Sequence, residues 1–361
     1  MQTEKDFIPA SYNSFPETGK FSWSAPSNIA LVKYWGKREH QLPANPSLSF
    51  TLSHCRTITT IEFQKKTTKD LSFELFFEGK PKEDFKPKIQ KFFERTREYL
   101  PFLQHYHFTI HTENTFPHSS GIASSASGMA ALAMNLMSVE KLLNPEMSDS
   151  YFYQKASFLA RLGSGSACRS VRGEVVVWGG HKEIAGSSDL FGVEFPETIH
   201  ENFRNYQDTI LLVDKGEKQV SSTVGHDLMH NHPFADTRFA QAHENLSELK
   251  VVLQDGNLEK FVDIVESEAL TLHAMMMTSM PYFILMKPNT LEIINRIWKF
   301  RRETNIPACF TLDAGANVHL LYPEKNKEKV LKFIKAELVE YCQNKQYICD
   351  SIGAGAIQLD A

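Results

Sequence analysis

Two stretches made almost wholly of glycine, serine and alanine set the terms on which this chain can fold. They are Pro117-His118-Ser119-Ser120-Gly121-Ile122-Ala123-Ser124-Ser125-Ala126-Ser127-Gly128 and Gly163-Ser164-Gly165-Ser166-Ala167-Cys168-Arg169-Ser170. Side chains this small let backbone amides and hydroxyls close around a compact anion with no bulk to hold it off. The first stretch runs directly into Met129-Ala130-Ala131-Leu132-Ala133-Met134-Asn135-Leu136-Met137, an apolar run that reads as a buried helix. A helix start offers unpaired N–H groups and a positive dipole end, so the two read together as a phosphate cradle backed by a helix. A helix start packed tightly on a strand would use the same residues. No Gly-Lys-Ser or Gly-Lys-Thr closes the stretch, which sets it apart from the Walker-type loop.

Around these loops the pattern is that of a mixed fold. Thr57 to Gln64 and Leu71 to Phe77 alternate apolar and polar residues as strands do, and Tyr106, Phe108 and Ile110 mark another strand leading into the first loop. Lys86 to Leu100 carries Ile89, Phe92, Phe93 and Tyr99 at helical spacing, while Val175 to Trp178 and Ile210 to Val213 read as buried strands. Beyond residue 205 helices dominate: Phe234 to Leu253, Leu258 to Met277, Leu291 to Glu303 and Lys329 to Tyr341, with two strands around the corner Ala314-Gly315-Ala316-Asn317. The composition shift near 190 to 205 divides the chain into an arm at 1–22, a domain at 23–200 and a domain at 201–361, an α+β architecture. The arm is polar, with Pro9, Pro16 and Gly19, and is expected to lie loosely over the surface.

The bulk numbers exclude several classes. At 361 residues the chain can bury a sizeable core, and a net charge of −4 gives no electrostatic case for nucleic acid or an anionic membrane surface. No apolar run approaches the ~18 residues of a membrane span, and the first residues lack the layout of a secretory signal. The five cysteines are scattered without paired spacing, so no zinc site or disulfide framework is expected and a cytoplasmic location is.

A third segment, Ala25-Pro26-Ser27-Asn28-Ile29-Ala30-Leu31-Val32-Lys33-Tyr34-Trp35-Gly36-Lys37-Arg38, places three cations around a Trp-Gly pair, which suits an anion but would equally suit a solvated basic turn. Arg169 brings a planar fork that can hold a carboxylate or phosphate in two parallel hydrogen bonds. Asp313 stands at a strand end before the Ala-Gly-Ala-Asn corner, aimed at a cleft or merely shaping the turn. His226, His230 and His232 lack a framing acidic partner and read as polar surface.

Taken together, these segments resemble the diphosphomevalonate decarboxylases of the GHMP small-molecule kinase superfamily. Asn28-Ile29-Ala30, Lys33-Tyr34-Trp35-Gly36-Lys37-Arg38 and Leu42-Pro43-Ala44-Asn45-Pro46-Ser47-Leu48-Ser49-Phe50-Thr51-Leu52 are similar to that family's N-terminal signature. Phe116-Pro117 through Ser127 is similar to its ATP loop, Ala160-Arg161 through Ser170 to its substrate loop, and Asp313-Ala314-Gly315-Ala316-Asn317 to its catalytic-aspartate turn. The likeness runs in order from about residue 24 to 322. The loop is shared with every kinase of the superfamily, whereas Gly-Ser-Gly-Ser-Ala-Cys-Arg-Ser with Lys-Tyr-Trp-Gly-Lys is particular to the decarboxylases. His118-Ser119-Ser120 and Val171-Arg172-Gly173-Glu174 depart from the family's usual Thr-Ala-Ala and Leu-Tyr-Gly-Gly.

The resemblance implies a two-domain GHMP-kinase fold, with a ribosomal-protein-S5-like N-terminal domain, a ferredoxin-like C-terminal domain and the site in the cleft between them. It implies a homodimer that consumes ATP to turn mevalonate 5-diphosphate into isopentenyl diphosphate, ADP, phosphate and carbon dioxide. A kinase or decarboxylase of the same fold acting on mevalonate or its monophosphate, and an idle paralogue, are the alternatives. By the same resemblance Asp313, Arg169, Asn28 and Lys37 are catalytic. Tyr34, Lys37, Ser164, Gly165, Ser166, Arg169, Lys218 and Ser222 bind substrate. Pro117, Ser120, Gly121, Ala123, Ser124, Ser125 and Ser127 bind ATP. Magnesium comes with the nucleotide, and the protein supplies no metal ligands of its own.

Overall fold

The computed structural model describes residues 2–12, 14–117, 122, 124–214 and 222–360, with Ser222 and Thr223 through their backbone. The chain opens with β1 (Thr18–Val32) and β2 (Ser47–Lys65), two long antiparallel strands whose pairing is interrupted by irregularities at Pro26/Asn28 and Ala30/Val32. β3 (Ser72–Phe77), the short β4 (Lys80–Pro81) and β5 (Tyr106–Asn114) extend the sheet beyond β2, with β3 and β5 parallel. The other end of β2 (Ser47–Phe50) pairs instead with β6 (Val175–Trp178), which pairs with β7 (Val193–Glu194). A second, four-stranded sheet runs in the order β11-β8-β10-β9, formed by β8 (Gln207–Leu211), β9 (Cys309–Leu312), β10 (Val318–Tyr322) and β11 (Tyr347–Ser351). The last strand, β12 (Ile357–Leu359), returns to pair with β1, so the C-terminus closes the first sheet's edge.

Helices cover these sheets for reasons visible in their residues. α1 (Lys86–Thr96) buries Phe92 and Phe93 on one face, and α3 (Asp149–Gly163) starts at Ser148, whose hydroxyl accepts from the Tyr151 N–H. Between them α2 (Ser124–Leu143) is buried on nearly all sides; its alanines let it sit close to β1, β2 and α3. Past the first sheet come α4 (Ser222–Asp227), α5 (Ala235–Asp255), α6 (Leu258–Met277), α7 (Pro288–Thr304) and α8 (Lys327–Phe333). The expected final helix to Tyr341 is α only as far as Phe333; a π turn (Ile334–Leu338) and a 3-10 turn (Val339–Tyr341) finish it. One apolar cluster joins Ile29, Leu48, Phe50 and Val175 of the first sheet to Ile210, Leu246, Phe261 and Leu321, so the two sheets share a core. No helix among the described residues is long and apolar enough to cross a membrane.

The N-terminal arm corrects the expectation of a loose segment. Phe7 is fully buried and stacks on Phe158 at 4.3 Å, Glu4 meets Arg161 at 2.9 Å, and the Tyr12 hydroxyl donates to Glu140. Three aromatic side chains, Phe7, Tyr12 and Phe15, pack on the first core, and that burial outweighs the arm's polar composition.

Candidate active site

The basic segment is not a solvated turn. Ala25 to Val32 forms the buried half of β1, and Lys33, one residue past its end, is only 2 % exposed. Its ammonium lies 3.1 Å from Oδ1 of Asp313, which stands one residue past β9 and remains partly open. Burial pushes the Lys33 ammonium below the ordinary lysine range, while Asp313, by charge and hydrogen bond, pushes back most strongly. Sequence reasoning assigned Lys33 no role of its own. Its signal was a lysine placed directly after the apolar run Ile29 to Val32, where a charge follows the strand into the interior.

Arg169 sits in the 3-10 segment Gly165–Ser170 and is buried beside this pair. Its Nε donates to Ser49 Oγ at 3.1 Å, Nη1 to Ser47 Oγ at 2.6 Å and Nη2 to Asn28 Oδ1 at 3.3 Å. Ser47 and Ser49 are two apart on β2 and so face the same way, which is why both reach one guanidinium. Asn28 in turn donates to Ser170 Oγ at 2.7 Å and to the Ser166 carbonyl at 3.2 Å, tying β1 to the second small-residue loop. Burial pushes the Arg169 guanidinium down; the Asp313 carboxylate is among the groups that oppose this. Among the described residues three of its five N–H groups are committed, which leaves Arg169 one on each terminal nitrogen for an anion.

Beside Arg169, Tyr34 lies with its ring 4.6 Å from Trp178 and 4.2 Å from His226. Gly165 fits beneath it: a Cβ there would come within 2.9 Å of the Tyr34 hydroxyl and 3.0 Å of Trp178. The hydroxyls of Ser164 and Ser166 are half-buried next to that glycine. Lys37 pairs with Asp227 of α4 at 3.2 Å, and the Gly36 N–H donates to Nδ1 of His226 at 3.0 Å. His226 and His232 are buried, correcting the expectation of a polar surface that only His230 meets. For His226 the reason is aromatic packing: its ring lies tilted against both Tyr34 and Trp35, 4.2 Å and 4.7 Å away. Burial first, then the charges of Lys37 and Arg169, push it down to about 3, so it is neutral.

The first small-residue loop joins the same region through Ser27, whose hydroxyl donates to the Ile122 carbonyl at 2.6 Å. At the start of α2, Lys88 donates to Ser125 Oγ at 2.7 Å. Ser127 is fully buried and its hydroxyl is shared with Thr57 at 2.6 Å, fastening the helix start to β2. Pro117 is exposed at the loop's entry. Ser120, Gly121, Ala123 and Lys218 lie outside the described residues, as does the Ser222 side chain. Next to Ser124 and Ser125 a cavity of about 150 Å³ opens between the sheet and α1, walled by Phe77, Phe85, Ile110 and Leu132 with Thr57 and Asn114 at its polar side. Arg38 points away from all of this, pairing with Asp189 at the surface.

This geometry has close counterparts. Residues 25–189 match the family model of the diphosphomevalonate decarboxylase-like N-terminal domain, and residues 209–357 that of the mevalonate 5-diphosphate decarboxylase C-terminal domain. The diphosphomevalonate decarboxylase of Candida albicans is 30 % identical over 328 residues, 87 % of either chain. That of Saccharomyces cerevisiae is 31 % identical over 336 residues, covering 87 % of this chain and 80 % of the yeast one. Among solved structures, one described as MDDEF in complex with MVAPP, AMPPCP and magnesium superposes with a TM-score of 0.81 at 29 % identity, covering 95 % of this chain and all of its own. Mevalonate diphosphate decarboxylase from Staphylococcus aureus superposes with a TM-score of 0.80 at 28 % identity, covering 95 % of this chain and 98 % of its own.

Proposed function

The chain belongs to the diphosphomevalonate decarboxylase family, and from that premise we propose how its own residues divide the work. The protein is an enzyme that decarboxylates mevalonate 5-diphosphate and binds ATP. The observation that carries the assignment of roles is the Lys33–Asp313 contact at 3.1 Å beside a buried Arg169 that Ser47, Ser49 and Asn28 hold in place.

A tertiary alcohol leaves poorly, so the γ-phosphate of ATP is transferred to the C3 oxygen first. Asp313, 3.1 Å from the ammonium of Lys33, orients the C3 hydroxyl and takes its proton, then faces the positive charge that develops at C3 as phosphate departs. Arg169 holds the substrate carboxylate so that the bond to carbon dioxide breaks in line with the leaving phosphate; Asn28, through Nη2, sets the angle of that fork. The electrons of the broken C–C bond become the double bond of isopentenyl diphosphate. Lys37, Tyr34, Ser164, Gly165 and Ser166 hold the diphosphate tail, with Lys218 and Ser222 assigned to it by the family resemblance alone.

The nucleotide's phosphates are placed at the start of α2, on Ser124 and Ser125 with Lys88 behind them, and Pro117, Ser120, Gly121 and Ala123 complete that loop by resemblance. Ser127 serves the site by anchoring the helix start to Thr57 through its hydroxyl rather than by contacting phosphate. The adjoining apolar cavity is the natural seat of the base. Magnesium, which arrives with the nucleotide, neutralises phosphate charge. Among the described residues no cluster of three or more His, Cys, Asp or Glu would hold it independently of the phosphates. The reading retains the division at 23–200 and 201–361, a homodimer and a cytoplasmic location, the last supported by five unpaired thiols.

The test is carbon dioxide and ADP release with ATP and, in turn, mevalonate, its monophosphate and its diphosphate. Carbon dioxide from the diphosphate, lost in Asp313→Ala with nucleotide affinity retained, is the expected result. ADP without carbon dioxide, or turnover confined to the monophosphate, overturns the assignment.

A further inference from the structure

Lys33 and Asp313 belong to segments 280 residues apart and to different sheets, so nothing in either sheet's ladder sets the distance between them. Both stand one position beyond a strand end, where the backbone groups must find other partners. For Lys33 those partners are side chains. Its N–H donates to Glu268 Oε2 at 2.8 Å, and its carbonyl accepts from Arg238 Nη2 at 3.1 Å and from Asn45 Nδ2 at 2.9 Å. Arg238 and Glu268 are themselves a two-pronged pair, 3.0 Å and 2.6 Å, fully enclosed on both sides. Asn245 fills the remaining acceptor position on Oε1 at 2.6 Å. An ion pair this deep gains little net stability, since desolvation offsets its attraction, and its consequence here is geometric: it fixes the carboxylate that holds the Lys33 peptide.

Asp313 is held from the same helix. Its carbonyl accepts from Nε2 of His273 at 3.1 Å and from the Gly315 N–H at 2.7 Å. A carbonyl only accepts, so Nε2 carries the ring proton and the imidazole acts as a fixed donor. Glu268 and His273 are both on α6, five residues apart, or about 7.5 Å along the axis. One rigid helix therefore grips the peptide of the lysine with one side chain and the peptide of the aspartate with another.

We infer that α6 is the gauge that sets the reacting pair: Glu268, locked by Arg238, and His273 are positioning residues that hold Lys33 and Asp313 at working distance. Each acts through the peptide of a reacting residue rather than through its side chain. The inference rests on the roles given to Lys33 and Asp313 above. It accounts for a buried pair and a buried histidine that the chemistry does not otherwise use.

The experiment compares His273→Leu, His273→Gln and the double variant Arg238→Met/Glu268→Met, which removes both charges together and leaves no orphan ion. Turnover of mevalonate 5-diphosphate and ATP is measured with Asp313→Ala alongside. His273→Leu and the double variant are expected to lose about 10- to 100-fold in kcat with both KM values within about twofold, because a misplaced reacting pair damages the chemical step and not ground-state binding. His273→Gln, whose amide can donate from a similar place, is expected to recover to within about threefold of the parent. Unchanged kcat in His273→Leu, or glutamine as damaging as leucine, or KM rising in step with the loss of kcat, overturns the inference. If the double variant does not fold, the two His273 variants decide alone. Normal turnover by Asp313→Ala would instead remove the reading on which the inference stands, so the two failures are distinguishable.

Discussion

Acidification should unfold this protein through two histidines that it buries uncharged. Burial, opposed by the hydrogen bond to the Asp313 carbonyl and reinforced by Lys33, pushes His273 down to about 4; burial, Lys37 and Arg169 push His226 down to about 3. In the unfolded chain both titrate near the ordinary value of about 6.5. As pH falls through that value the unfolded state takes up two protons that the folded state refuses, so stability falls with pH. The loss ends only when the folded state also accepts them, near 4 for His273 and 3 for His226. Between pH 7 and pH 5 each histidine removes about 2 kcal/mol, together about 4 kcal/mol out of the ~5–15 kcal/mol by which a domain is normally stable. Urea unfolding at the two pH values measures it, using His273→Gln and His226→Asn to delete one titration each while keeping a comparable hydrogen-bonding atom. Each variant should be about 2 kcal/mol less sensitive to the pH step than the parent, and the double variant about 4 kcal/mol less. Variants as acid-sensitive as the parent would show that these imidazoles are not buried neutral, and the account of both would fail.

Other substitutions test other contacts. Arg169→Lys should cut turnover by about 100-fold or more, because one ammonium cannot serve Ser47, Ser49 and Asn28 and still fork a carboxylate; normal kinetics would move that contact elsewhere. In Gly225→Ala the new Cβ would lie 2.5 Å from the Trp35 ring, lifting α4 and its Asp227 and His226 off the Lys37 segment. The KM for mevalonate 5-diphosphate is expected to rise about tenfold with that for ATP unchanged, and equal changes in both would contradict a local effect. Phe7→Ala should cost about 3–5 kcal/mol in urea unfolding, whereas a cost under about 1 kcal/mol would mean the arm adds nothing to the core.

Much of the fold around the candidate site was readable along the chain. Small residues before an apolar helix have few physical uses, so the two loops and α2 could be marked out locally, and α2 begins at Ser124 inside the first stretch. Of the helices expected in the second half, α6 spans the interval Leu258 to Met277, while the last gives way to a π turn after Phe333. Arg169 and Asp313 stood out because a guanidinium and a carboxylate beside glycine turns are conspicuous without knowing what faces them. The polar arm misled for an equally local reason: aromatics scattered among prolines and polar residues do not reveal that a surface waits for them.

What the chain order determined, then, is where the small-residue loops, the guanidinium and the carboxylate stand, because those properties reside in side-chain chemistry and local backbone freedom. Only the tertiary structure decided that Lys33 is the partner of Asp313, that Ser47 and Ser49 brace Arg169, and that His226 is buried against Tyr34 instead of facing water. Charge state and distance depend on what the rest of the molecule brings near. A lysine after Val32 is an ordinary cation in the sequence, and becomes the buried partner of Asp313 only where two sheets and α6 enclose it.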